Sequence, residues 1–156
     1  MIRIPSALSA GALAAAMALA PAAMAHDVKP ELGDPISLRM NAMMQTGAAI
    51  GAMAAIAKGE AEFEPRVAVL ALRTMHGVAL GYGEMFPEGS ETGNQTKAAP
   101  AIWSDRAGFD AEVAKFIEVT GAAVAAPPQD LNGLRAALGQ VGASCQSCHE
   151  GYQLSN

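Results

Sequence analysis

Two cysteines stand at positions 145 and 148 of a 156-residue chain, and a histidine follows directly: Cys145-Gln146-Ser147-Cys148-His149. On a helix, side chains three and four residues apart share a face, so Cys145, Cys148 and His149 project together. Two thiols and one imidazole on a single face suit a flat tetrapyrrole. The thiols reach two vinyl groups along one edge of the ring, and His149 reaches the iron as proximal ligand. The spacing C-x-x-C-H is the attachment signature of haem c. It predicts one covalent haem, held by Cys145 and Cys148 with iron bound by His149.

Other chemistries fit these residues less well. A redox-active C-x-x-C belongs at a helix N-terminus beside a βαβ unit, whereas this pair ends a helical pattern. Structural zinc takes four ligands, and the other histidines, His26 and His76, have no ligand spacing. A disulfide across three residues of a regular helix is geometrically awkward.

The chain opens with Met1, Ile2, Arg3 and Ile4, then an Ala-rich apolar run from Ala7 to Ala20. Pro21 breaks the run, and Ala23-Met24-Ala25 has the small-x-small pattern of a cleavage site. These features predict a secretory signal peptide over residues 1–25, cut before His26. The apolar run is short of the ~20 residues that cross a bilayer. Residues 26–156 then form one domain with a single core and no membrane span. Export agrees with haem c, which is attached outside the cytoplasm, and predicts a periplasmic protein. Loss of Arg3 takes the net charge of −5 to −6. An acidic chain of this kind lacks the electrostatic footprint of a nucleic-acid binder. Only seven aromatic residues are present, which argues against a β-sandwich.

The elements that must position the motif read as four helices. The first spans Asp34 to Lys58, with Asp34 as N-cap, Pro35 in the first turn and Gly59 at the C′ position. Its apolar stripe reads Ile36, Met40, Met43, Met44, Gly47, Ile50, Gly51 and Ala54. The second begins near Pro65, has its stripe at Val67, Leu70, Ala71, Met75, Val78, Ala79 and Tyr82, and closes at Gly81, Gly83 and Pro87. Residues 84–99 read as a long surface loop. The third helix runs from about Ser104 to Ala125, lined by Phe109, Val113, Phe116, Ile117, Thr120 and Val124. Pro127 and Pro128 stop it. Asp130 caps the fourth, whose seam of Leu134, Leu138, Val141, Cys145 and Cys148 continues into the motif. Four amphipathic helices with mostly short connections predict an all-α, antiparallel four-helix bundle, with haem attached near the C-terminus of helix four.

A four-helix bundle with C-x-x-C-H near its end resembles the class II c-type cytochromes, the cytochrome c′ family. The resemblance extends to Val141-Gly142-Ala143-Ser144 before the motif, Tyr152 after it, Pro100-Ala101-Ile102-Trp103-Ser104-Asp105, and Arg39. The stretch Ala55-Ile56-Ala57-Lys58-Gly59-Glu60 is most similar to the low-spin members. The resemblance implies haem attachment in the periplasm and homodimers that pair through helices one and two. It offers two activities. Low-spin members place a methionine sulfur on iron and carry electrons to and from a redox partner. High-spin members leave the sixth position open under a bulky apolar side chain and bind nitric oxide or carbon monoxide. The family pattern puts Met43 at the distal position, four residues after Arg39. A methionine there serves either branch, as ligand or as cover. Small residues at Gly47, Ala48 and Gly51 would let the ring approach helix one and favour Met43 as a ligand. High-spin members carry a basic residue four positions after the haem histidine. Here it is Gln153, which tells against the gas-binding branch.

By the same resemblance Arg39 pairs with a haem propionate; read as a helix residue alone, it is a solvated surface arginine. A peroxidase-like enzyme lacks a distal pair in helix one beyond Arg39, so the chain reads as no enzyme. Trp103 reads as packing at the start of helix three and His76 as an exposed helix residue. Glu84, Glu88 and Glu91 read as solvated charge. His26, as a new N-terminus, could bind copper through its amine and imidazole.

Overall fold

The computed structural model describes residues 33–155. The expected signal segment and His26 lie outside the described residues. Helix α1 spans Pro35–Lys58. The Asp34 carboxylate accepts hydrogen bonds from the Ile36 and Ser37 amides and from the Ser37 hydroxyl, which lies 2.8 Å away. These bonds, led by the hydroxyl, hold the Asp34 carboxyl below its ordinary range. Gly59 ends the helix at φ 81°. That left-handed turn lets the Glu60 amide reach back to the Ala55 carbonyl.

Helix α2 spans Pro65–Tyr82 and runs into a short 3-10 turn over Gly83–Met85. The expected third helix is α4, Arg106–Ala125, and a short helix, α3, Ala101–Ser104, precedes it across a break in the backbone. The break falls at Asp105, whose carboxylate accepts from the Gly108 amide at 3.2 Å and from the Tyr152 hydroxyl at 2.8 Å. An aspartate that caps the following turn competes with continuation of the preceding one. Helix α5 spans Leu131–Tyr152 with Asp130 as its N-cap, 2.7 Å from the Gly133 amide.

The four long helices form a ring in which α1 packs on α2, α2 on α4, α4 on α5 and α5 back on α1. This is the four-helix bundle the periodicity predicts. Among the described residues no helix is long and apolar enough to cross a membrane. One end of the bundle is filled by Met53, Ile56, Leu72, Met75, Leu134 and Val141, all buried. The other end holds an aromatic cluster around Phe86, Ile102 and Phe109. Its rings meet edge to face: Phe86 lies 4.8 Å from Phe109 and 5.1 Å from Tyr82, and Phe109 lies 5.5 Å from Tyr152.

Two apolar stripes need correction. On α1 the buried positions are Ile36, Arg39, Ala42, Thr46, Ala49, Met53 and Ile56, a seam about one position away from the expected one. Met40 and Met44 are exposed, the latter by 69%. The true seam contains an arginine and a threonine, which hydrophobicity alone does not select. On α2 the seam is Ala68, Ala71, Leu72, Met75 and Ala79, while Val67 and Leu70 face outward. Alanines let the neighbouring helices approach closely, so the larger residues of the pattern fall outside the contact. The seams of α4 and α5 stand as expected at Phe109, Thr120, Leu134 and Val141.

Candidate haem-binding site

A cavity of about 510 Å³ opens between α1, α4, α5 and the segment at 95–98. From α5 come Cys145, Cys148, His149 and Tyr152. Met43 and Arg39 come from α1, with Gly47 and Ile50 beyond them. Helix α4 contributes Phe109, Glu112, Val113 and Phe116. The structure thus brings every residue the sequence singled out for the cofactor to one cavity. Both cysteines are half-buried, and they do not form a disulfide with each other. Burial pushes the Cys145 thiol up; burial, then Glu112 and Cys145, push Cys148 up to about 11.

The end of α5 is fixed by bonds outside the helix. The Ala99 amide donates to the Tyr152 carbonyl at 3.0 Å, and the Leu154 amide to the Lys97 carbonyl at 2.8 Å. Tyr152 donates its hydroxyl to Asp105, and this bond pushes its phenol up to about 12. A Cβ at Gly108 would collide with both partners, so only glycine leaves room for the pair. Three residues before Tyr152, His149 takes its place from this anchored turn.

Arg39 is neither solvated nor on a free helix face. It is 3% exposed. Its Nη2 donates to the Ser90 carbonyl at 2.7 Å and to Thr96 Oγ1 at 2.9 Å, and its Nη1 to Ser90 Oγ at 3.0 Å. The guanidinium also lies 4.8 Å from the Phe86 ring centroid and 5.6 Å from that of Trp103. Burial lowers its pKa, and Tyr82, Asp34 and Glu91 act against that. The stretch read as a surface loop is therefore a structured cover, tied to α1 through Arg39, with Phe86, Ser90 and Ala99 buried. Trp103 packs on Phe86 and donates to the Pro87 carbonyl at 3.2 Å.

Three buried polar atoms lack a hydrogen-bond partner among the described residues: Arg39 Nε, Glu112 Oε2 and Ser144 Oγ. All three belong to residues that line the cavity. A largely apolar cavity with two thiols on one side, an imidazole beside them and a cation lacking one partner suits an amphipathic porphyrin with charged propionates. The residues present fit haem c.

The sequence reading missed Glu112. Its Oε1 accepts from Ser147 Oγ at 2.8 Å, and Ser147 in turn accepts from Lys115 Nζ at 3.4 Å. The available signal was a carboxylate on an apolar stripe, three residues after Phe109 and four before Phe116. His76 is not exposed as expected: it is half-buried, with Nδ1 3.1 Å from Thr120 Oγ1. Because that hydroxyl donates to the Phe116 carbonyl at 2.6 Å, the imidazole is the donor. Gly47 lines the cavity as the small-residue argument requires, whereas Ala48 and Gly51 do not. Glu84 and Glu88 are solvated, and Glu91 accepts from the Gly89 amide.

Known proteins share this fold. The family model described as Cytochrome C' matches residues 34–153. A cytochrome c-556 from Agrobacterium fabrum is 39% identical over 119 residues, which is 76% of this chain and 80% of the relative. The solved cytochrome c' from Rhodopseudomonas palustris has a TM-score of 0.75 at 34% identity and covers 79% of this chain and 98% of its own. A nitric oxide complex of a cytochrome c prime mutant from Alcaligenes xylosoxidans has a TM-score of 0.69 at 30% identity, over 78% of this chain and 94% of its own. A single C-x-x-C-H motif opening into one apolar cavity of a four-helix bundle places the chain, a monohaem c-type cytochrome with covalently attached haem c, in the cytochrome c′ family.

Proposed function

We propose that this protein is a periplasmic electron carrier and not an enzyme, with Cys145 and Cys148 holding the haem and His149 and Met43 as axial ligands. Cys145 and Cys148 would hold the haem by thioether bonds, sulfur and proton of each thiol being added across one vinyl group with no net oxidation. Bound there, the haem supplies a one-electron iron couple. The anchored end of α5 orients His149, and α1 offers the Met43 sulfur from across the cavity. Arg39 orients a propionate through its unpartnered Nε while its other nitrogens hold the cover. The aromatic cluster excludes water from one end of the site. After removal of residues 1–25, the mature chain exchanges electrons with a redox partner and pairs with a second copy through α1 and α2.

The observation that carries this reading is the shared cavity, where Met43 of α1 faces the same space as Cys145, Cys148 and His149. Gln153 in place of a basic residue supports it. A second reading, five-coordinate iron that binds nitric oxide or carbon monoxide, is favoured by the nitric oxide complex of the Alcaligenes relative. Two measurements decide. The purified mature protein should have the mass of residues 26–156 plus one haem that acid–organic solvent does not extract. Its oxidised iron should be low-spin by electron paramagnetic resonance, and Met43→Ala should make it high-spin and open to carbon monoxide when reduced. A wild-type protein already high-spin and readily bound by carbon monoxide defeats the electron-carrier reading. Extractable haem defeats the attachment.

A further inference from the structure

The C-x-x-C-H motif leaves its two middle residues free, and one of them is used. Ser147 lies between Cys145 and Cys148, and its hydroxyl bridges Lys115 to Glu112. Glu112 lines the cavity, and its second oxygen, Oε2, is buried with no partner among the described residues. Lys115 and Ser147 are one turn and one helix away from it on the outer side, with Lys115 in solvent. The arrangement is asymmetric: the carboxylate is inside, its counter-cation outside, and a single hydroxyl joins them.

A carboxylate placed this way does not stabilise the fold efficiently, because half of it is desolvated without a bond. It is well placed to act on a charge. Oxidised haem carries one more positive charge than reduced haem, so a fixed negative charge beside it favours the oxidised state. Burial keeps that effect from being screened, whereas the exposed ammonium is screened by salt. We propose that Glu112 is a potential-setting residue: held by Ser147 beside the haem attachment site, it lowers the reduction potential, and Lys115 partly offsets it through the same hydroxyl. Glu112 lines the same cavity as Cys145, Cys148 and His149 and is bonded to Ser147 of the motif itself, so its charge lies beside the attachment site. The inference rests on haem c at Cys145 and Cys148; it does not depend on whether Met43 is a ligand.

The test is a spectroelectrochemical titration of the purified holoprotein and of Glu112→Gln, Glu112→Asp and Lys115→Met at neutral pH. Glu112→Gln should favour reduction by about tenfold, a positive shift of about 59 mV for one electron. Glu112→Asp, which keeps the charge, should return most of that shift. Lys115→Met should move the potential the opposite way, by less, and the difference should shrink at high salt. The absorption spectrum of each variant should keep the wild-type ligand pattern. A purely structural role for the bridge would move Glu112→Gln and Lys115→Met in the same direction, and that result overturns the proposal. So does a Glu112→Gln shift under twofold. Should Glu112→Gln fail to carry haem, the exposed Lys115→Met still decides by the sign of its shift, since a potential that rises or stays put refutes the arrangement. High-spin iron in the wild type would defeat the electron-carrier reading and leave these signs to be read as before.

Discussion

Replacing Arg39 with alanine should unfasten the cover of the haem site. The side chain makes three short hydrogen bonds to Ser90 and Thr96, a longer one of 3.4 Å to the Met85 carbonyl, and stacks on Phe86. Bonds from a charged donor contribute roughly 1.5–3 kcal/mol each, and a desolvated cation–π contact about 2 kcal/mol. Burying a guanidinium without a carboxylate costs several kcal/mol and offsets around half of that. The net loss in Arg39→Ala is then about 3–5 kcal/mol, since the Ser90 carbonyl also loses its donor. At roughly 4 °C per kcal/mol for a domain of this size, the holoprotein's melting midpoint should fall by about 12–20 °C. Circular dichroism measures the midpoint, and limited proteolysis should show new cleavage between positions 86 and 97. Arg39→Lys should fall between, because an ammonium keeps the charge but neither the fork nor the stack. An Arg39→Ala holoprotein that melts within roughly 3 °C of wild type, with no new cleavage, would refute the clamp.

Two further outcomes follow from the same structure. Gly139 sits exposed inside α5, and a Cβ added there would meet nothing within 4 Å, so Gly139→Ala should stabilise by about 1 kcal/mol in a thermal melt. Gly121→Ala should not share that gain, because its methyl would lie 3.1 Å from the His76 ring. The phenol of Tyr152 is raised to about 12 by the bond it donates to Asp105, and burial raises Tyr82 in the same direction. A group whose folded pKa is raised gives stability that is complete below its unfolded value near 10 and lost as pH climbs through the folded one. Chemical denaturation should therefore show stability falling between about pH 10 and 12, and Tyr152→Phe should flatten part of that fall; an unchanged slope would disprove the Tyr152 contribution.

What the sequence made legible was local. Asp34, Gly59 and Asp130 act within one turn of themselves, so their caps read directly from residue type and spacing. The C-x-x-C-H motif is local too. What it hid was set by distant partners. The burial of Arg39 depends on acceptors 51 and 57 residues away. Glu112 carried a mark of its own, its place on an apolar stripe, yet the partner that explains it, Ser147, lies on another helix.

The misplaced stripe on α1 is informative in itself. The residues read as core but found outside the seam include Met40, Met43, Met44, Gly47 and Ile50, and these line the cavity. A helix that serves only a bundle needs one apolar seam, here Ile36, Ala42, Ala49, Met53 and Ile56 with Arg39 and Thr46. Helix α1 carries a second apolar face beside the first. The two together spread apolar residues around much of the circumference, and a single-stripe reading fits their average, which belongs to neither. Helix α5 does not mislead in this way, because its seam runs straight into Cys145 and Cys148 and the two duties share one line. The number of apolar faces on a helix thus reports how many surfaces it must satisfy. On α1 the second surface is the cavity proposed to hold the haem, and Met43 belongs to that face rather than to the bundle seam.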